Sequence, residues 1–337
     1  MTNPVAGTFI KASIKNTFKA FLLIYLSITL VFFALAFLKG NPVSMYVDPR
    51  LSQDLRQNLE QQYGYHLSVP AQYGRYLASI CTGSFGVSFV YKKPVIDLLP
   101  SHLLQSFWLG GCGLAIGMLL SLIFLWGQNL PESKLVKRFF HSVTSLFLGV
   151  PAFLSGLFLL FIFGFKLQIL PTFGSERLFS EGIGGWSLFL DKLMHAILPG
   201  LSIGLALAAR FTTFLNQELQ HMDEQPFIRS ARGRGVSERR IFWKHKMLGL
   251  LPSALQLFGL YLPLLVSGAL VLEHLFGWAG MGTLMFDAVA ARDFPVLLGG
   301  TIVTTGSVIV GYQLADIARA YLINVKYNLN KPSGEIR

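Results

Sequence analysis

Seven cations crowd into the twenty-one residues FIRSARGRGVSERRIFWKHKM, from Phe227 to Met247. Guanidinium and ammonium groups at that density bind phosphate, anionic lipid or an acidic protein surface, and the residues between them decide which. Here those residues are small, Ser230, Ala231, Gly233 and Gly235, flanked by apolar Phe227 and Ile228 and by Ile241, Phe242 and Trp243. Small residues admit a close neighbour, glycine permits a reversal between short helices, and exposed aromatics supply anchor contacts. That combination suits a protein socket better than a lipid-facing patch. Nucleic-acid binding would need a stacking platform or a groove-reading fold, for which so short a segment has no room.

Catalytic chemistry has no comparable signal. The chain contains no Gly-Lys dipeptide and hence no phosphate-cradling P-loop, and no HExxH or CxxC that would mark a metal site. Its seven histidines, His66, His102, His141, His195, His221, His245 and His274, are scattered along the whole chain, so a Ser-His-Asp assembly has no support. Cys81 and Cys112 are the only cysteines, one in a polar segment and one in an apolar run, which suggests neither a disulfide framework nor a thiolate metal site.

The elements that position the basic segment are apolar. Of 337 residues 53% are hydrophobic and 13% are charged, where a soluble domain carries about 25% charged residues. Six apolar runs are long enough to cross a bilayer as helices, 20–38, 103–126, 143–165, 196–215, 250–272 and 295–315, and only the fourth holds a charge, Arg210. The first run follows Lys11, Lys15 and Lys19 as a signal peptide would, but exceeds the usual apolar length of such peptides and reads as a retained anchor. With the N-terminus inside, the inner segments carry seventeen Lys and Arg residues against four in the short outer loops, so both termini are expected in the cytoplasm. The outer loop 39–102 contains amphipathic pieces such as LSQDLRQNLEQQYG and is expected to form short helices on a single membrane domain. The basic segment then lies at the centre of the largest cytoplasmic loop, 216–249.

The run FIRSARGRGVSERRIFWKHKMLGLLP resembles the EAA loop of ABC-transporter permeases, in particular the B-type permeases of oligopeptide and dipeptide importers, whose pattern is YVRTARAKGLSxRRVxxRHALxxxLxP. Phe227, Arg229, Ala231, Arg232, Gly235, Ser237, Arg239, Arg240 and His245 fall in place, and Ile228 lies within the match. The likeness covers nearly the whole chain. KGNP at Lys39, GSFGVSF at Gly83, VPAFLSG at Val150, HAILPGLSIGL at His195 and VLEHLFGWAGMGTLMFDAVAARDFPVLLG at Val271 are similar, in order, to the family's PGDP, GDFGxS, IPxFxxA, HLILP and VVExVFxxPGLGxLLxxAIxxRDYPxxxG. Ala279 replaces the proline of the last motif and Asn41 the aspartate of the first.

The resemblance implies an all-α membrane protein of the type I ABC importer permease fold, with six transmembrane helices and no catalytic activity of its own. It implies a cytoplasmic loop in which Phe227 to Arg232 form one helix, Gly235 the turn, and Ser237 to His245 a second helix docked on a cytoplasmic ATPase. It further implies two such ATPase subunits, which bind the ATP and Mg while this chain holds no cofactor, together with a second related permease and an extracytoplasmic binding protein. The expected cargo is peptide, moved across a bacterial inner membrane by alternating access; nickel, glutathione and antimicrobial peptides are cargoes of similar systems. Glu273, at the outer end of the fifth run, and Asp293, in the following loop, are candidates for the pathway or the outer face. The rival classes are an ion-coupled secondary transporter, which would need paired ionisable residues deep in the spans, and a membrane-embedded enzyme, which would need a catalytic cluster at one depth; neither set is seen.

Overall fold

A computed structural model describes residues 4–37, 67–130, 132–176, 185–261 and 269–329, with side chains described from residue 19 and as far as residue 317. The chain divides into two compact units, residues 1–104 with 280–309, and residues 105–279 with 310–337.

In the first unit, helix α1 (Pro4–Ala36) presents Phe32 and Phe33 to helix α2 (Val69–Cys81). Tyr73 of α2 lies 5.0 and 5.4 Å from those two rings, in the tilted arrangements aromatic pairs favour, and its hydroxyl is hydrogen-bonded to Thr29. A tight hairpin follows, closed by Ser88 N–H to Lys93 O at 2.9 Å and Val95 N–H to Gly86 O at 3.0 Å. Val95 and Leu99, in the first turns of helix α3 (Val95–Asn129), are buried against Met281, Leu284 and Ala288 of the later helix Met281–Ala290 and against Val296 and Leu297 of Phe294–Leu329.

In the second unit the sequence of elements is the remainder of α3, α4 (Lys134–Gly149), α5 (Ala152–Leu159) with a π-helical segment Leu160–Lys166, α6 (Gly185–Asp223), α7 (Pro226–Gly233), α8 (Glu238–Ile241) with a second π-helical segment Phe242–Lys246, α9 (Met247–Tyr261) and α10 (Leu270–Phe276). Helices Met281–Ala290 and Phe294–Leu329 are α11 and α12.

The α3–α6 pair forms the frame of this unit, and small residues set its spacing. A Cβ added at Gly117 would stand 3.2 Å from the Gly204 carbonyl oxygen, and one added at Gly204 would stand 3.2 Å from the Gly117 amide nitrogen. A Cβ at Gly113 would meet the Ile203 side chain, and one at Gly200 the Ile116 side chain at 3.1 Å and the Gly113 amide nitrogen at 3.7 Å. Two Gly-x-x-x-Gly stretches therefore cross backbone against backbone, the close approach that substitutes in lipid for the missing hydrophobic drive between helices. Below this crossing, Leu114 and Leu125 of α3 share a buried cluster with Leu207, Phe211, Leu215 and Leu219 of α6 and Leu250 and Leu257 of α9.

Among the described residues, four helices are long and apolar enough to cross a membrane, at Lys19–Ala36, Val95–Asn129, Gly185–Asp223 and Phe294–Ile317. The expected span 143–165 is divided: α4 and α5 with its π segment meet at a bend of 112°. Pro151 explains the break, since its ring pushes the preceding Val150 into extended backbone (φ −83°, ψ 122°) and its missing N–H ends the helical ladder. The expected span 250–272 includes residues 262–268, which lie outside the described residues, as does 39–66 of the outer loop with its LSQDLRQNLEQQYG piece. Helices also overrun the apolar windows. The stretch 95–102, expected in the outer loop, belongs to α3; residues 216–223, expected in the cytoplasmic loop, belong to α6, and 247–249 belong to α9.

Candidate functional site

The basic segment is a helix–turn–helix whose geometry follows from its residues. Pro226 occupies the first helical position of α7, where its missing N–H is no loss, and it holds the preceding Gln225 extended (φ −69°, ψ 139°). Along α7 the register buries Ile228 and Ala231 and leaves Phe227, Arg229 and Ser230 exposed. The helix ends in a Schellman motif: Val236 N–H donates to Ala231 O at 3.2 Å and Gly235 N–H to Arg232 O at 2.9 Å, with Gly235 at φ +75°. That left-handed conformation costs an L side chain roughly 1–2 kcal/mol, which accounts for glycine at this position. The motif's accompanying apolar contact is present too, as Val236 covers the small core of Ile228, Ala231 and Ile241.

Ser237 sits in the N-cap position of α8, although its hydroxyl makes no capping bond. From there Phe242 turns back into the cluster of α6 and α9, anchoring the second arm, while Trp243 is 49% exposed and Phe227 is 51% exposed. Arg239 and Arg240 are exposed and His245 is half-buried.

Arg232 ties the arms together. Its Nε donates to Glu238 Oε1 at 2.6 Å and its terminal nitrogen to Glu238 Oε2 at 3.2 Å, while the same terminal nitrogen also donates to Asp223 at the end of α6. Lys246 Nζ reaches the same Asp223 oxygen at 2.7 Å. The hydrogen bond from Arg232 is the main cause holding the Glu238 carboxyl below its ordinary value, and the Glu238 and Asp223 carboxylates raise the guanidinium in turn. A forked, two-partner guanidinium fixes direction as well as distance, which lysine would not.

The ten residues expected at this site thus divide in two. Phe227, Arg229, Arg239 and Arg240 face outward; Ile228, Ala231, Arg232 and Gly235 hold the loop's own shape, with Ser237 at the second arm's entry and His245 at its far end. Ala231 is small for the sake of its own helix and not for a partner's approach, since it is only 2% exposed. Sequence reasoning missed Asp223, Glu238 and Lys246, and it grouped Phe242 with the exposed aromatic anchors, whereas the structure buries it in the cluster of α6 and α9. Asp223 did carry a signal: an anion at a helix C-terminus opposes the helix dipole and requires cations nearby.

The two outer candidates occupy interior positions. Glu273, on α10, is 1% exposed and accepts the Ser106 hydroxyl at 2.7 Å. Asp293 is fully buried in the first unit, where it accepts the Ser88 hydroxyl and, at 3.1 Å, the Val90 N–H. Its other oxygen faces the Val296 N–H at 3.5 Å, the N-cap geometry for α12, with Pro295 inside the first turn. Among the described residues no three His, Cys, Asp or Glu side chains converge as a metal site would require.

Residues 113–324 match the family described as binding-protein-dependent transport system inner membrane component. The chain is 31% identical over 284 residues to the oligopeptide transport system permease protein AppB of Bacillus subtilis, covering 83% of this chain and 88% of the relative. It is 29% identical over 312 residues to the dipeptide transport system permease protein DppB of Lactococcus lactis, covering 92% and 97%. It is 28% identical over 276 residues to the glutathione transport system permease protein GsiC of Escherichia coli, covering 80% and 83%. With its long apolar helices and a match spanning most of its length, the chain belongs to the family of binding-protein-dependent transport system inner membrane components and is a multi-pass permease subunit of an ABC transporter in the inner membrane.

Proposed function

We propose that this permease imports peptides, and that Phe227–Lys246 is the element through which cytoplasmic ATPases drive it. The observation that carries the reading is the division of labour in the loop: a rigid interior closed by the Schellman turn and the Arg232 fork, and an outer face of Phe227, Trp243, Arg239 and Arg240 with no role in that interior. A stiff element with exposed aromatic and Arg side chains has the composition of an interface hot spot. Peptide as cargo is supported by the names of the relatives, two of which transport oligopeptides or dipeptides and one the tripeptide glutathione.

The full assembly on this reading contains two ATPase subunits that bind ATP and Mg, a second related permease and an extracytoplasmic binding protein, while this chain binds no cofactor. A loaded binding protein delivers peptide to the outer face. ATP-driven closure of the ATPases then displaces the loop, which is stiff enough to pass the displacement to the spans. Parallel packing of α3 and α6 supports the underlying topology, because the second and fourth spans of an alternating six-span chain must run in the same direction.

The test is purification of the tagged chain from its own cells in mild detergent, followed by reconstitution and uptake of labelled di-, tri- and oligopeptides. Co-purification of an ATPase that is lost in the Phe227→Asp, Trp243→Asp variant, with ATP-dependent peptide uptake by the intact complex, is the expected result. An abundant, folded chain that brings down no ATPase, or a complex that takes up glutathione and no other peptide, would overturn the docking reading or the broad peptide reading respectively.

A further inference from the structure

Besides the apolar cluster they share, α3 and α6 are fixed to each other at two levels. The upper is the glycine crossing at Gly117 and Gly204. The lower is a relay of amides: Asn129 Nδ2 donates to Asn216 Oδ1 at 2.9 Å, Asn216 Nδ2 donates to Gln128 Oε1, and Gln128 Nε2 donates to Thr144 Oγ1 on α4 at 2.7 Å. The Thr144 hydroxyl in turn donates to Phe140 O at 2.8 Å, and Asn129 Nδ2 also donates to Leu125 O at 2.8 Å. Three helices are therefore joined by side chains at one depth. Gly204 and Asn216 are separated by the same twelve positions as Gly117 and Asn129, about 18 Å along each helix.

A close crossing is a pivot, and the apolar packing beside it is non-directional, so the two helices can still turn slightly about it. A second fixed contact about 18 Å away removes that rotation. Asn216 also stands two turns above Asp223, the carboxylate that receives Arg232 and Lys246 from the loop. The loop-to-α6 tie and the α6-to-α3-to-α4 tie are thus in series on one helix.

We propose that Asn216, Gln128, Asn129 and Thr144 are positioning residues for transport: they form the joint that makes α3 and α4 follow α6 when the coupling loop moves. The proposal rests on the reading of that loop as the ATPase-docking element. Nothing in ATP hydrolysis itself requires the joint, since it lies in the permease. Breaking it lets the loop and α6 move while α3 and α4 stay behind, so ATP is consumed without peptide passing.

The experiment uses the whole complex in proteoliposomes with its binding protein and a labelled peptide, comparing Asn216→Leu and Gln128→Met with the wild type. Binding-protein-stimulated ATP hydrolysis is expected to stay within about twofold, while peptide moved per ATP falls at least about fivefold, the low end of measured coupling between sites. Uptake and hydrolysis falling together, in proportion to the amount of assembled complex, would show a merely structural role and overturn the proposal, as would two unchanged rates. A second construction guards against poor folding. In a Cys81→Ser, Cys112→Ala background, Asn129→Cys with Asn216→Cys is expected to be uncoupled when reduced and to regain peptide moved per ATP when bridged by a short reducible bis-thiol reagent. Loss of uptake on bridging, reversed by reductant, would mean that the joint opens in each cycle and overturns the proposal. A wild-type complex with no ATP-dependent uptake would overturn the functional reading itself, and the joint's role with it.

Discussion

Arg232 lies among seven cations that look alike in sequence, yet it alone of the loop's arginines bridges two carboxylates in the described structure. Its fork on Glu238 has a definite pH signature. The folded carboxyl lies below its ordinary value of 4.5, so its contribution is fully present above that value and is lost as pH falls through the lower folded one. Hydrogen exchange across 226–246 in detergent is therefore expected to be flat from neutral pH to about pH 5 and to quicken below it, after correction for intrinsic rates; Glu238→Gln should weaken that acid dependence and leave the part carried by Asp223, whose carboxyl is held low, against its partial burial, by hydrogen bonds from Lys246 and Arg232. Gly235 makes a second, steric prediction. A Cβ there meets no atom within 4 Å, so Gly235→Ala fails through backbone conformation alone, loosening the loop by roughly 1–2 kcal/mol. Gly235→Asn should cost less, because asparagine tolerates the left-handed region, and protection of the Val236 amide would rank the two. Gly235 was legible in the sequence because a turn needs it wherever it occurs. The partners of Arg232 were not, since Asp223 and Glu238 lie nine and six residues away on opposite sides and only the folded turn brings them to one point.

Among the elements, α6 shows why spans and helices are different quantities. The apolar run 196–215 marks the part compatible with hydrocarbon, whereas the helix runs from Gly185 to Asp223 and includes Asp191, Lys192 and Glu218. Hydropathy reports where water is excluded; hydrogen-bonded backbone continues until a residue such as Pro226 stops it. Pro199 lies within the same helix without ending it, while Pro151 ends α4, so proline position alone could not separate a break from a tolerated kink. The glycine crossing is the element-scale feature most open to test. Gly117→Ala and Gly204→Ala each place a methyl against backbone of the facing helix and should lower thermal stability in detergent by about 1–3 kcal/mol, as overpacking does. Gly111→Ala meets open space on the same helix and should leave the melting temperature unchanged or higher, since alanine is the better helix former. Equal losses at Gly111 and Gly117 would remove the crossing as the cause.

At the scale of the whole molecule, orientation rests on the distribution of Lys and Arg, since the parallel course of α3 and α6 is the same whichever end faces the cytoplasm. The two native cysteines give a direct check. Cys81 is exposed at the end of α2, in the segment assigned to the outer face, and Cys112 is partly covered on α3 where it meets Gly200. A membrane-impermeant maleimide should label Cys81 in right-side-out spheroplasts and leave Cys112 unmodified, and labelling of Cys81 only in inside-out vesicles would reverse the assigned topology. The parallel pairing also sets a timetable for synthesis. Asn129 and Asn216 lie 87 positions apart, so at about 5–20 residues per second α3 enters the bilayer roughly 4–17 s before its partner helix exists. Gln128 waits far less, because Thr144 follows only 16 residues later. The nascent chain therefore builds an α3–α4 hairpin first and carries Asn129, bonded only to Leu125 O of its own helix, and a bare glycine face until α6 arrives. Ribosome-bound chains truncated before residue 216 should remain associated with the insertion machinery, and chains extended past the end of α6 should be released from it.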